Sequence, residues 1–422
     1  AAADQLARAG RLLEDLQAVR ENYHMVDDDF QLAVLVDRYL SRPDVPAVRK
    51  RRFLTEAAGA GGSRLDALVR NLAFMAELSR PYAEEPAATN LVSFFRRDDA
   101  GWLPGSWRDS RAGYGSGRFA MDVNAIWVPA ALAALEGILR ELEALDMSAA
   151  LSGVSGESSA LDAYVRDPET LRAALDTWRG ARRHFEVRLD PDEIRRRVGA
   201  ALSRLPIPEA DYWRRRLDEA GADLRPLPFL ALSLDADGRP IAAVNSDPGT
   251  ALFLGEYTEE ILRGAADPAA VLELVDPFAR PYPVGLFVAG LGPVVVNDAY
   301  ASAAVQQRFR EDLYHSPRVV WGREVNLLLL GLARQLLAAY HPAGGLPSES
   351  AALRSYVDEL WNALEATMEA VEASGLSHNE LWGYRIEGDT LRPVRYGTSS
   401  DIQLWNVTDL AVGFLLDKLP PR

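Results

Sequence analysis

The chain has no cysteine, which excludes disulfides, a catalytic thiol and any thiolate metal site. Basic residues are in deficit: 46 Lys and Arg stand against 61 Asp and Glu, for a formal charge of -15 and a pI near 5.0. Nucleic-acid phosphates are held by clustered Lys and Arg, and no basic stripe runs through the sequence, so nucleic acid is not an expected partner. No apolar run approaches the roughly 18 residues of a membrane span, so membrane insertion is not expected either. Histidine is scarce, and the five present (24, 184, 315, 341 and 378) lack the spacing of metal ligands, so no metal is expected. The phosphate-loop, H-E-x-x-H and G-x-S-x-G patterns are missing. Gly113, Gly115 and Gly117 follow no strand, which argues against a dinucleotide site, and no cofactor is implied. The chain opens on three alanines without Met, as either a removed signal peptide or an edited start would leave it, and zero cysteine fits export without establishing it. A periplasmic or secreted location is the expectation, the cytoplasm the alternative. No feature sets an oligomeric state.

Across 422 residues, 48% hydrophobic and 25% charged content gives an ordinary globular composition able to bury a large core. Apolar residues recur at helical spacing over Ala3 to Arg20, Phe30 to Leu40, Arg64 to Leu78, Asp122 to Leu145 and Pro168 to Trp178. The same spacing continues over Pro191 to Leu202, Asp211 to Ala220, Val320 to Ala339, Ser350 to Ala373 and Gln403 to Leu415. Pro129 should kink or delay its helix, and the acidic run Asp27 to Asp29 should cap the helix from Phe30. Two hairpins interrupt the helices. One spans Pro228 to Ser246 and turns at Asp235 to Gly238; the other spans Leu381 to Tyr396 and turns at Gly388 and Asp389. No linker or low-complexity tract marks a boundary, so a single domain over 1–422 is expected. Ten helices, with others hidden in loops, approach the twelve of a closed barrel of helical hairpins. The expected class is all-α with small β-hairpin insertions.

The richest stretch runs from Gly101 to Leu132 and reads GWLPGSWRDSRAGYGSGRFAMDVNAIWVPAAL. Asp109 lies beside Trp107 and Arg108, with Trp102 upstream and three glycines downstream. Tryptophan faces beside a carboxyl group, on a backbone free to approach a ligand, suit a sugar ring.

Five segments then fall in one order. The loop around Asp109 resembles the W-x-D-S motif, and Asp122 to Trp127 the E-x-N-A-L-W segment, of the six-hairpin (α/α)6 glycoside hydrolases. Among these it resembles in particular the C-terminal glucosidase domain of glycogen-debranching amylo-α-1,6-glucosidases. Asn245 to Leu252 resembles S-N-x-G-H-x-L with Thr250 in place of His, and Tyr314 to Trp321 resembles Y-H-x-G-x-V-W-P with Gly322 in place of Pro. Gly375 to Glu380, followed by Gln403, Leu404 and Trp405, resembles G-x-I-S-E with a later Q-A-W-S. The resemblance covers about residues 100 to 415 and implies an (α/α)6 barrel with glycosidase activity on a carbohydrate substrate.

Glycoside hydrolysis needs one protonated carboxyl to protonate the leaving oxygen and one ionised carboxyl to activate water or attack the sugar. Asp109, expected to be desolvated among aromatics, is the candidate acid. The competing reading has it cap the turn or pair with Arg108 or Arg118. Glu380 matches the family glutamate and is the candidate base of an inverting enzyme, with His378 and Asn379 as nearby donors and Glu387, Asp389 and Asp401 as competitors. Trp102, Trp107, Trp321 and Trp382 are candidate stacking platforms, whereas Trp127 and Trp405 read as core. Arg108, Asp122, Asn124, Tyr314, His315 and Gln403 carry groups suited to sugar hydroxyls. Three rivals follow from the same residues: a phosphorylase, an epimerase or lyase using His315 or Tyr314, and a noncatalytic glycan-binding protein. Fold alone does not choose among them.

Overall fold

The computed structural model describes residues 25–59, 61–98, 101–110, 112–153, 158–221, 224–312, 314–340, 351–396 and 403–422. Over these residues the protein is mostly helical, with 15 α-helices and strands gathered only in sheets of two or three. The helix expected over Ala3 to Arg20 lies outside the described residues.

Helix starts follow the local chemistry. The helix Arg64–Glu84 begins in a capping box: Ser63 Oγ accepts from the Asp66 N–H at 3.2 Å and the Asp66 carboxylate accepts from the Ser63 N–H at 2.7 Å. Its Leu65, Leu68, Leu72, Met75 and Ala76 then recur at helical spacing on the buried face. Pro191–Leu202 has the expected bounds, with Asp190 capping the Glu193 N–H. The acidic run behaves differently from expectation. Asp28 and Asp29 occupy the first turn of Asp28–Leu40, but the Asp27 side chain makes no cap; it is buried and accepts from the Gln31 amide at 3.0 Å.

The central helix is wound in two ways. Asp122–Trp127 is π-helix, with the Val128 N–H reaching back five residues to the Val123 carbonyl, and α-helix continues over Val128–Ala144. Pro129 therefore falls in the first turn of the α segment, where its missing N–H costs little. Asp122–Ala144 is long and apolar enough to cross a membrane by length and composition, an exception to the sequence expectation, yet 61% of its most apolar window is buried inside the protein. It packs against Asp28–Leu40 and Pro168–Arg179.

A second group centres on Gly322–Ala339, which packs against Pro248–Leu254, Ala351–Ser374 and Thr408–Leu416. Gly331 allows the closest crossing: a Cβ there would meet Leu252 Cβ at 2.8 Å and the Phe253 nitrogen at 2.9 Å. One contiguous apolar core runs from Val26 to Val412.

Both expected hairpin turns form. Ser233–Leu234 pairs with Pro240–Ile241 across the Asp235 turn, and Leu381–Glu387 pairs with Thr390–Arg395 in the register Glu387 to Thr390. Other strands pair across the chain: Val244–Asn245 joins Val296–Asn297, and Val319–Trp321, whose last two residues were expected to open the helix Val320 to Ala339, joins Leu381–Glu387.

Candidate functional site

The loop carrying Asp109 is fastened on both sides. Arg108, fully buried, donates to the Asp247 carboxylate at 2.9 Å, to Ser246 Oγ at 3.0 Å and to the Val295 carbonyl at 3.1 Å. On the other side Ser110 Oγ meets His315 Nδ1 at 2.8 Å and donates to the Asp312 carboxylate. Asp109 itself faces solvent between these anchors. Burial among aromatics, the basis for reading it as a desolvated acid, is therefore absent. The glycines downstream serve the protein rather than a ligand: a Cβ on Gly113 would meet the Arg108 carbonyl oxygen at 2.2 Å, and one on Gly117 would meet Ser233 Oγ at 2.2 Å.

Aromatic rings close one side of the loop. His315 lies flat against Trp321, with ring centroids 5.5 Å apart and planes 7° from parallel, and Trp107 meets both rings edge-on at 5.7 and 5.8 Å. The Arg108 and Arg323 guanidiniums lie over the Trp107 ring at 4.2 and 5.2 Å. The Trp107 indole N–H donates to Asp247 at 3.1 Å, and that of Trp321 donates to the Tyr314 carbonyl at 2.7 Å. Trp107 and Trp321 stay half-exposed, so their outer edges are accessible.

Beneath the loop is a buried acidic network. Asp122 accepts from Ser106 Oγ and the Tyr114 hydroxyl, both at 2.9 Å, and Glu324 accepts from Ser246 Oγ at 2.9 Å. Burial, reinforced by the charge of Asp247, pushes the Asp122 carboxyl up to about 8. Burial also raises Asp27 to about 6 and lifts Glu324, against the pull of Arg323. Asp312 moves the other way, to about 2: bonds from His315 and Ser110 outweigh its burial. Asp27 Oδ1, Arg108 Nη1, Asp122 Oδ1, Asp247 Oδ2 and His315 Nε2 are buried without a protein partner, atoms of the kind that internal water ordinarily satisfies. Among the described residues no group of three His, Asp or Glu has the arrangement to hold a metal ion.

Glu380 reaches this region through the backbone. Trp321 pairs with Leu381 across two strands, and the Gly322 N–H donates to the Glu380 carbonyl at 2.9 Å. Glu380 is buried, although a base that activates water is ordinarily more solvated than its partner acid. Its competitors Glu387 and Asp389 sit exposed at the hairpin tip, ion-paired to Arg392 and Arg215, and Asp401 lies outside the described residues.

Several proposed sugar contacts have structural roles instead. Trp382 is fully buried and donates to the Leu291 carbonyl at 3.0 Å, so it offers no stacking face. The Asn124 amide is spent on backbone: Nδ2 donates to the Val92 and Ala120 carbonyls at 2.9 Å, and Oδ1 accepts from the Val92 N–H at 2.8 Å. Arg108 and Asp122 are likewise buried, anchoring the loop rather than meeting a ligand at the surface, and His315 is buried with its Nδ1 side tied to Ser110. Trp102 stands on a separate strand pair beneath the Arg118 guanidinium, at 4.6 Å. Trp127 is half-buried against the core as expected, but Trp405 is 37% exposed. Tyr314 is exposed and Gln403 half-buried, both accessible to a ligand.

Sequence reasoning missed Ser110, Asp247, Asp312 and Glu324, which hold the loop. Ser110 and Asp247 stood inside quoted motifs, but neither was given a role. Asp312 had a local signal, since its carboxylate accepts from the Tyr314 and His315 N–H groups at 2.8 and 2.9 Å, a turn that an Asp two residues before Tyr-His announces. No protein-family model, curated protein or solved structure matches this chain.

Proposed function

We propose that the protein is a glycoside hydrolase on an (α/α)6 barrel, inverting, with Asp109 as general acid and Glu380 as general base. The observation that carries this reading is the setting of Asp109: a solvent-facing carboxyl between two residues that are each tied down by buried polar bonds, beside half-exposed Trp107 and Trp321. Reactive groups are effective when their supporting shell is rigid and the group itself is open to substrate. With Asp109 exposed, desolvation must come from the sugar that closes over it. Gathering of the Asp109, Asp247, His315 and Glu380 segments through direct contacts supports a common site drawn from distant parts of the chain. Screening the purified protein against α- and β-linked oligosaccharides, with and without phosphate, tests the proposal. Release of reducing sugar without phosphate supports it; phosphate-dependent turnover replaces the hydrolase with a phosphorylase.

A second reading, an epimerase or lyase, draws on one specific feature. His315 has Nδ1 held by Ser110 near Asp312 and leaves Nε2 unpartnered, the arrangement of an oriented acid–base imidazole. Loss of all activity in His315→Gln, with Asp109→Asn fully active, would favour it.

A further inference from the structure

A cavity of about 600 Å³ opens beside the Asp109 loop, within the roughly 300–1,000 Å³ of small-molecule sites. Asp312 forms part of its wall, and Asp312 is the residue that receives the hydroxyl of Ser110, immediately after Asp109. The cavity is distinct in charge. In a chain of net charge -15, Arg204, Arg310, Arg318, Arg385 and Arg395 line it, against only Glu209, Asp298 and Asp312.

The three acids offset only part of this charge, since the arginines outnumber them. Glu209 is taken by Arg318, whose Nε donates at 3.0 Å, and by the Tyr384 hydroxyl at 3.2 Å. Asp312 keeps its charge, but its oxygens are already taken by Ser110 and by the Tyr314 and His315 N–H groups. Asp298 is pushed by burial up to about 7, so near neutral pH it carries only part of a charge. Arg204 is held by neutral acceptors, the Ala200 carbonyl at 2.9 Å and Gln306 Oε1 at 3.1 Å. Among the described residues neither Arg310 nor Arg385 forms an ion pair. Tyr282, Tyr384 and Phe309 supply apolar surface between the charges. The volume exceeds what an inorganic anion fills, and guanidinium forks match carboxylate and sulfate oxygens.

We infer that this cavity binds a saccharide unit carrying an oxyanion, so that the substrate is an anionic glycan. The inference rests on the glycosidase reading for its link to Asp109, but binding is measured apart from catalysis. Calorimetry compares a glucuronate-containing disaccharide, a sulfated disaccharide and the neutral parent, each against the wild-type protein and the Arg310→Ala/Arg385→Ala double variant. Both arginines are surface-facing, and thermal melting checks that the variant remains folded. The expected result is binding of an acidic disaccharide, weakened about tenfold or more in the variant and by added salt, with the neutral parent bound far less. Preference for the glucuronate or for the sulfated sugar identifies the oxyanion. Equal binding of acidic and neutral sugars, or a double variant indistinguishable from wild type, overturns the inference. Cleavage of neutral oligosaccharides unaffected by the double variant would sink it while leaving the hydrolase intact; acidic-sugar binding without cleavage by any condition would do the reverse.

Discussion

Arg108 and Asp247, 139 residues apart in the chain, meet at 2.9 Å with both side chains shut away from solvent. Their pairing joins the Asp109 loop to the start of Pro248–Leu254, and through Ser246 to Glu324 on the long helix Gly322–Ala339. Removing one partner strands the other as a buried charge. Asp247→Ala should therefore destabilise by about 3–5 kcal/mol, read from urea unfolding, whereas a well-packed apolar pair such as Arg108→Met with Asp247→Leu should recover much of that. A double variant as unstable as Asp247→Ala would mean that the pair supplies more than charge compensation.

The raised Asp122 carboxyl makes stability depend on pH. Its folded pKa of about 8 lies above its ordinary 3.8, so the folded protein binds the extra proton in between. Stability from this group is then fully present below about pH 4 and lost as pH rises through 8. Asp27, raised to about 6, adds in the same direction over the lower part of that window. Asp122→Asn keeps an acceptor for Ser106 and Tyr114 and cannot ionise. The variant should lose less stability than wild type between pH 5 and pH 8.5 in urea titrations; parallel curves would show that Asp122 does not hold its proton in the folded state.

Helices were legible where one face is apolar over three turns, as at Pro191–Leu202, because periodicity is a local property. Residue roles at the site were not, because they depend on partners far along the chain. Asn124 looked like a sugar-binding amide, yet two of its hydrogen bonds go to Val92, 32 residues upstream. Trp382, two residues beyond Glu380, read as a stacking platform, but its strand places it inward against Leu291. The aromatics beside Asp109 did not bury it, since Trp107 turns to Asp247 and Ser110 turns to His315, leaving the residue between them facing out.

Ser110 and Asp312 should act as positioning residues for Asp109. Replacing Ser110 with Ala removes the tie to His315 and Asp312 while leaving the Arg108 anchor in place. On a cleaved glycoside, kcat should fall by about tenfold with KM little changed, the signature of an interaction felt mainly in the transition state. Ser110→Thr, which keeps the hydroxyl, should recover part of the loss. A rise in KM at constant kcat would instead place Ser110 in ground-state binding.

Asp109→Asn preserves shape and removes the titrating proton. Turnover should drop by roughly 10² or more, the usual scale of general acid catalysis, while sugar binding and melting temperature hold, because the side chain is exposed and the amide keeps its shape. Wild-type turnover in this variant would move the acid role to another residue.

Base and stereochemistry are tested together. If Glu380 activates water across an open gap, the first-formed sugar has the opposite anomeric configuration to the bond cleaved, and Glu380→Gln loses nearly all activity. A nucleophile would retain configuration. Glu380 is buried and lies directly before the strand Leu381–Glu387, whereas Glu387 and Asp389 occupy an exposed turn and already pair with arginines. NMR of the earliest product, with azide added to Glu380→Ala, separates the cases: rescue with inverted product marks the base. Retained configuration, or full activity in Glu380→Gln alongside loss in Glu387→Gln, Asp389→Asn or Asp401→Asn, would show that a different carboxylate does this work.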